Sequence, residues 1–139
     1  MRAIVMLFAL AFSTFAAAQP NARAGDRIVG EWRGTSICTN LALLPACRDE
    51  TTRYVFTGPI RDNTYHIAAD KLVGQTFEPM GEFDLTYYSA DDTWSYDLSR
   101  PTCVGCKWWF RIDASGLIGG VTGQSGAPLR RVSARRQTP

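Results

Sequence analysis

The sequence predicts an all-β domain: eight antiparallel strands joined in order and closed into an up-and-down barrel. Three observations predict it. Apolar and polar residues alternate with period two from about residue 27 onward, as half-buried strands require. Glycine, proline, aspartate and asparagine interrupt that alternation at short intervals. The connections after the fourth to seventh strands are short, whereas a Greek-key sandwich needs longer returns. A meander of eight strands closes readily, because closure removes its unpaired edges.

The first strand is expected over Arg27 to Cys38, with Ile28, Gly30, Trp32, Gly34, Ser36 and Cys38 facing inward. An apolar loop with Leu41, Leu43, Leu44 and Pro45 follows and caps one end. The second strand covers Thr51 to Thr57, with Tyr54 and Phe56 on one face, and Gly58-Pro59 ends it. The third covers Thr64 to Asp70, with Tyr65, Ile67 and Ala69 inward. Gly74 and Pro79 make the stretch from Lys71 to Pro79 read as irregular. The fourth strand, Gly81 to Tyr88, sets Phe83, Leu85 and Tyr87 against Glu82, Asp84 and Thr86. Ala90-Asp91-Asp92 turns into the fifth, Thr93 to Ser99, with Trp94, Tyr96 and Leu98 inward. The sixth, Lys107 to Asp113, has Trp108, Phe110 and Ile112 inward and Trp109 outward. Ala114-Ser115-Gly116 is a hairpin turn into a glycine-rich seventh strand, Leu117 to Thr122. The eighth, Leu129 to Arg135, completes the domain.

The first 18 residues read as a signal peptide: Arg2 supplies the charge, Ala3 to Phe15 the apolar stretch, and Ala16-Ala17-Ala18 the small-residue cleavage pattern. A membrane span needs roughly 20 apolar residues, and the stretch is shorter. Polar residues Gln19, Asn21 and Arg23 follow at once, so no stable membrane anchor is expected. Removing 18 of the 139 residues leaves 121, the size of one domain. Residues 19–26 read as a flexible arm and 27–139 as the barrel. Fourteen basic and thirteen acidic residues remain, and a charge of +1 argues against electrostatic nucleic-acid binding.

All four cysteines, Cys38, Cys47, Cys103 and Cys106, lie beyond the leader. An even count in a small exported domain reads as a disulfide framework, with three possible connectivities. The two local pairings, Cys38–Cys47 and Cys103–Cys106, are favoured. The first closes a loop worth roughly 2–3 kcal/mol on the chain-entropy account. The expected location is periplasmic or secreted, after cleavage near Ala18.

Gly30-Glu31-Trp32 at the start of the first strand is a Gly-x-Trp signature. Ahead of a strand meander it resembles the calycin superfamily of lipocalin-like and avidin-like barrels. That resemblance implies that Trp32 packs at the closed end and that an arginine of the final strand lies across it. Arg130 shares a face with Val132 and Ala134 and is preferred to Arg131 for that stack. A longer pattern resembles a group of small exported bacterial proteins of uncharacterised function. It runs through Trp32-x-Gly34-Thr35-Ser36-x-Cys38, Ala46 to Glu50, Ala69-Asp70-Lys71, Glu78 to Gly81 and Arg130-Arg131-Val132. An ordinary lipocalin is longer and carries a helix after its barrel. Nothing helical follows the eighth strand here, so a large ligand cavity is not implied.

The candidate catalytic groups are sparse. Cys103-Val104-Gly105-Cys106 has redox spacing, but such chemistry wants the first cysteine at a helix N-terminus, and strand follows here. Structural zinc wants four ligands, which the two cysteine spacings do not offer. His66 is the single histidine, on the outer face, and spacing places no nucleophile or acid beside it. Asp49-Glu50 point to opposite faces if extended, and Asp91-Asp92 read as turn residues. No enzyme, metal or cofactor is therefore expected.

The aromatic residues carry the functional reading. Trp32, Tyr54, Phe56, Phe83, Tyr87, Trp94, Tyr96, Trp108 and Phe110 all fall on inward faces. An eight-stranded barrel is just wide enough to be filled by side chains or to hold one small ligand. The expectation is a non-enzymatic binding protein with a small apolar or aromatic ligand in the barrel. The alternative is an exported protein–protein module, such as a protease inhibitor or envelope accessory protein. For that module, Trp109 and the Leu41–Leu44 loop are the surface to watch.

Overall fold

The computed structural model describes residues 22–100 and 103–138, so the leader and its cleavage site lie outside the described residues. A 3-10 turn, Ala24–Ile28, precedes eight strands. These are β1 (Gly30–Cys38), β2 (Glu50–Arg61), β3 (Thr64–Val73), β4 (Thr76–Tyr88), β5 (Thr93–Arg100), β6 (Cys103–Asp113), β7 (Gly116–Thr122) and β8 (Pro128–Arg136). They follow one another around a closed barrel, each antiparallel to its neighbours, and β8 pairs back onto β1. The all-β meander barrel expected from the alternation is the fold.

Period-two alternation accounts for the interior. Trp32, Tyr54, Phe56, Tyr65, Ile67, Leu85, Trp94, Phe110, Leu117 and Val132 are almost wholly buried in one cluster. The stretch 71–79 departs from expectation, because it is strand. Gly74, at φ +61°, makes the tight turn between β3 and β4 that an L side chain would resist. Pro79 sits at a bulge where Ala69 pairs Gly81 and Asp70 pairs Pro79, leaving Met80 extra. A proline is tolerated there because that part of β4 makes no ladder with β5.

The N-terminal turn closes one end of the barrel. The expected arm over 19–26 is thus replaced, from Ala24 onward, by folded structure. Gly25 is buried against Tyr65, and a Cβ there would lie 2.4 Å from the Tyr65 hydroxyl oxygen. Tyr65 donates to Asp26 at 2.8 Å, and Trp32 Nε1 donates to the Ile28 carbonyl at 2.8 Å. Arg27 pairs with Asp92, which also accepts from Tyr87 at 2.9 Å.

The stacking arginine is Arg136 and not Arg130. Arg136 lies opposite Trp32 in the β1–β8 ladder, with its guanidinium carbon 4.3 Å from the ring centroid. Arg130 lies opposite Cys38, six residues and roughly 20 Å further along the strand. Both cystine pairings are as expected, Cys38–Cys47 and Cys103–Cys106.

Candidate ligand-binding site

Strand polarity defines two ends. The 3-10 turn and the hairpins at 62–63, 89–92 and 114–115 close one of them. The loop 39–49, the β3–β4 hairpin and the loop 123–127 surround the other. Five large apolar side chains on or beside these rim segments are exposed: Leu41, Leu43, Leu72, Val73 and Val104.

The barrel wall is incomplete beside this mouth. β4 and β5 pair only as Thr86–Ser95, Tyr87–Trp94 and Tyr88–Thr93. Toward the mouth the two strands part. A side-chain contact replaces the ladder there: Phe83 of β4 stacks on Tyr96 of β5, with centroids 5.5 Å apart and planes 16° from parallel. Trp108 meets Phe83 edge-on at 5.4 Å. Phe83 and Trp108, with Ala69, Met80 and Leu98, line a cavity of about 100 Å³.

The nine aromatic residues singled out in the sequence thus divide. Trp32, Tyr54, Phe56, Tyr87, Trp94 and Phe110 are buried and pack together, as in the Phe56–Phe110 contact at 5.4 Å and the Tyr87–Trp94 contact at 4.8 Å. Only Phe83, Tyr96 and Trp108 are partly buried, and they stand at the open seam. Sequence reasoning placed Ala69 and Leu98 inward but missed Met80, because the bulge at Pro79–Met80 resets the alternation.

A polar cluster occupies the neighbouring quadrant of the mouth. Arg130 points inward and donates to Ser36 Oγ at 2.8 Å, the Ser36 carbonyl at 3.0 Å, the Arg48 carbonyl at 2.9 Å and Glu50 at 2.8 Å. Its Nη1 also lies 3.1 Å from Cys47 Sγ. Beneath it, Thr52 Oγ1 and the Tyr54 hydroxyl are buried without a hydrogen-bond partner among the described residues. Burial pushes the Tyr54 hydroxyl above its ordinary pKa, so it is held as a neutral donor. Tyr54 also touches Trp108, centroid to centroid 6.3 Å, which links the polar cluster to the aromatic cavity.

His66 lies on the outer wall, as its register predicts, but it has acidic neighbours. Its Nδ1 is 2.9 Å from Asp84 and its Nε2 is 3.5 Å from Glu82. The β3–β4 register, which the sequence does not reveal, sets His66 directly opposite Asp84. Among the described residues no serine, threonine or cysteine hydrogen-bonds to the imidazole, so no activated nucleophile accompanies it. Cys103 and Cys106 are bonded to each other within strand, and no group of three metal-ligating side chains gathers among the described residues. Trp109 is half-buried on the outer wall. Leu43 and Leu44 line a separate depression with Cys103, Gly123 and Leu129.

No family model matches the sequence, and no curated protein matches it. A solved structure described as "The Siderocalin Ex-FABP functions through dual ligand specificities" is similar at 9% identity, over 79% of this chain and 70% of that chain, with a TM-score of 0.37. At that similarity the function has to be argued from the residues of this chain.

Proposed function

We propose that the chain is a non-enzymatic binding protein that takes a small apolar or aromatic ligand at the barrel mouth. One observation carries the reading. Where β4 and β5 stop pairing, the Phe83–Tyr96 stack bridges the gap, and Phe83 also lines a small apolar cavity with Met80, Leu98 and Trp108. The cavity is small, so the ligand is small or enters only in part. About 100 Å³ is room for a few heavy atoms, and a larger guest requires the lining side chains to move. The apolar rim suits the entry of such a molecule. Thr52 and Tyr54 offer unused hydroxyls to a polar group on it.

N-phenyl-1-naphthylamine tests the reading, followed by tryptophan emission and by native mass spectrometry of the purified chain. Saturable quenching that Trp108→Leu weakens at least tenfold supports it. Unchanged emission with no co-purified mass ends it.

The apolar rim also favours a second reading, an exported protein–protein module docking through Leu41, Leu43 and Val104. Capture of a defined envelope protein that Leu43→Asp abolishes would favour it. Export after cleavage near Ala18 belongs to both readings. Two disulfides fit an oxidising compartment, and N-terminal sequencing of the exported product tests it.

A further inference from the structure

The outer wall built from β6, β7, β8 and β1 breaks the alternation that holds elsewhere. Outward positions are otherwise largely polar or charged, yet three neighbouring ones carry Trp109, Ile118 and Ile37. The ladder aligns them in two rows. One runs Trp109, Gly120, Arg131, Ile37, and the next runs Arg111, Ile118, Ser133, Thr35. Gly120 faces outward between Trp109 and Arg131 without a side chain to separate them, and it is itself buried.

Trp109, Arg131 and Ile37 of the first row and Ile118, Ser133 and Thr35 of the second line a hollow of about 630 Å³. That is within the roughly 300–1,000 Å³ usual for small-molecule sites. Among the described residues no carboxylate lines it. Arg131, at its edge, makes no ion pair among the described residues. The outward positions of β7 and β8 add no acid: they are Ile118, Gly120, Thr122, Arg131, Ser133 and Arg135. Arg130 also lines the hollow, but its guanidinium is turned inward and engaged with Glu50. The hollow thus presents an indole and two isoleucines beside an uncompensated guanidinium.

We propose that this hollow is a second binding site, distinct from the mouth, for a planar aromatic monocarboxylate. The ring lies against Trp109 and Ile118, and the carboxylate meets the Arg131 fork. A neutral ring gains only the apolar part, and an aliphatic cation is repelled by Arg131 and by the neighbouring Arg111. The site therefore discriminates by charge as well as by shape.

Isothermal titration of the full oxidised chain with 2-naphthoate, and separately with 2-naphthamide, tests this. The expected result is a saturable site for the acid that does not depend on the mouth, and at least tenfold weaker binding of the amide at that site. Arg131→Gln and Trp109→Leu should each weaken naphthoate at least tenfold, and Trp108→Leu at the mouth should leave it unchanged. Both outer-wall positions face away from the core, so unchanged circular dichroism and melting confirm that these variants fold. Equal binding of acid and amide overturns the proposal, as does naphthoate affinity unaffected by Arg131→Gln, or loss of binding in Trp108→Leu. Concentration-dependent dimerisation abolished by Trp109→Asp also overturns it, because the occupant is then a second copy of the chain.

Discussion

Arg136 sits over the Trp32 ring, guanidinium carbon to ring centroid 4.3 Å, and the same guanidinium donates to the backbone carbonyls of Val29 and Arg27. One side chain thus clamps the N-terminal turn to the closed end while covering its tryptophan. Arg136→Ala should lower stability by about 1–2 kcal/mol in urea denaturation, from the lost cation–π contact and the freed carbonyls. Arg136→Lys should recover little, because an ammonium cannot stack and reach both carbonyls together. If lysine restores full stability, the charge alone matters.

Arg130 does different work at the mouth. It is 16% exposed and Glu50 23%, so their pairing is partly shielded from water. Arg130→Met removes the partner of a half-buried carboxylate and should cost about 2–4 kcal/mol. Adding Glu50→Met should recover part of that loss, because the stranded charge disappears. A double-mutant cycle by urea denaturation measures the coupling, and simple additivity would show that the pair contributes through separate contacts.

Tyr65 makes alkaline stability depend on the closed end. Burial, reinforced by the Asp26 carboxylate it donates to, pushes its hydroxyl up to about 12. The unfolded chain ionises it near 10. Its contribution is therefore fully present below about pH 10 and lost as pH rises from there toward 12. Tyr54 and Tyr87, raised chiefly by burial, act in the same direction. Tyr65→Phe should cost about 1 kcal/mol at pH 8 and show a shallower decline between pH 10 and 12. Urea midpoints across that range decide it, and an equally steep decline in the variant assigns the loss elsewhere.

The Cys38–Cys47 bond ties the loop that presents the Arg48 carbonyl and Cys47 sulfur to Arg130. Replacing both cysteines by alanine should cost roughly 2–3 kcal/mol from the loop-closure term. The loss should be smaller in an Arg130→Met background, where the loop no longer positions anything for the guanidinium. Thermal melts of the four proteins test that interaction.

Eight strands were legible because alternation survives in nearly every one of them. What alternation cannot supply is position along a strand. Arg130 and Arg136 share the inward face of β8, and only the ladder with β1 distinguishes the one opposite Trp32 from the one opposite Cys38. Gly74 and Pro79 looked like breakers because each breaks a strand in isolation. Here Gly74 makes a tight hairpin, and Pro79 lies beside an edge that needs no donor. All nine inward aromatic residues read alike in the sequence. Phe83, Tyr96 and Trp108 differ from the other six because β4 and β5 diverge beside them, a feature of pairing that leaves no mark on hydropathy. The Asp84 beside His66 was hidden for the same reason.

The parted seam should also be visible in exchange kinetics. Backbone amides of Glu78–Phe83 and Tyr96–Leu98 that point into the gap have no ladder partner across it. They should exchange with deuterium orders of magnitude faster than amides of β7, which is paired along its length on both sides. Phe83→Ala removes half of the stack that bridges the gap and should cost about 2 kcal/mol, less than a fully buried phenylalanine because the ring is partly exposed. It should also speed exchange at Leu98 and Trp108 while leaving β1 and β8 unchanged, since the barrel opens locally at its weakest join. Uniform acceleration around the whole barrel would mean that the stack supports global stability and does not act locally at the seam.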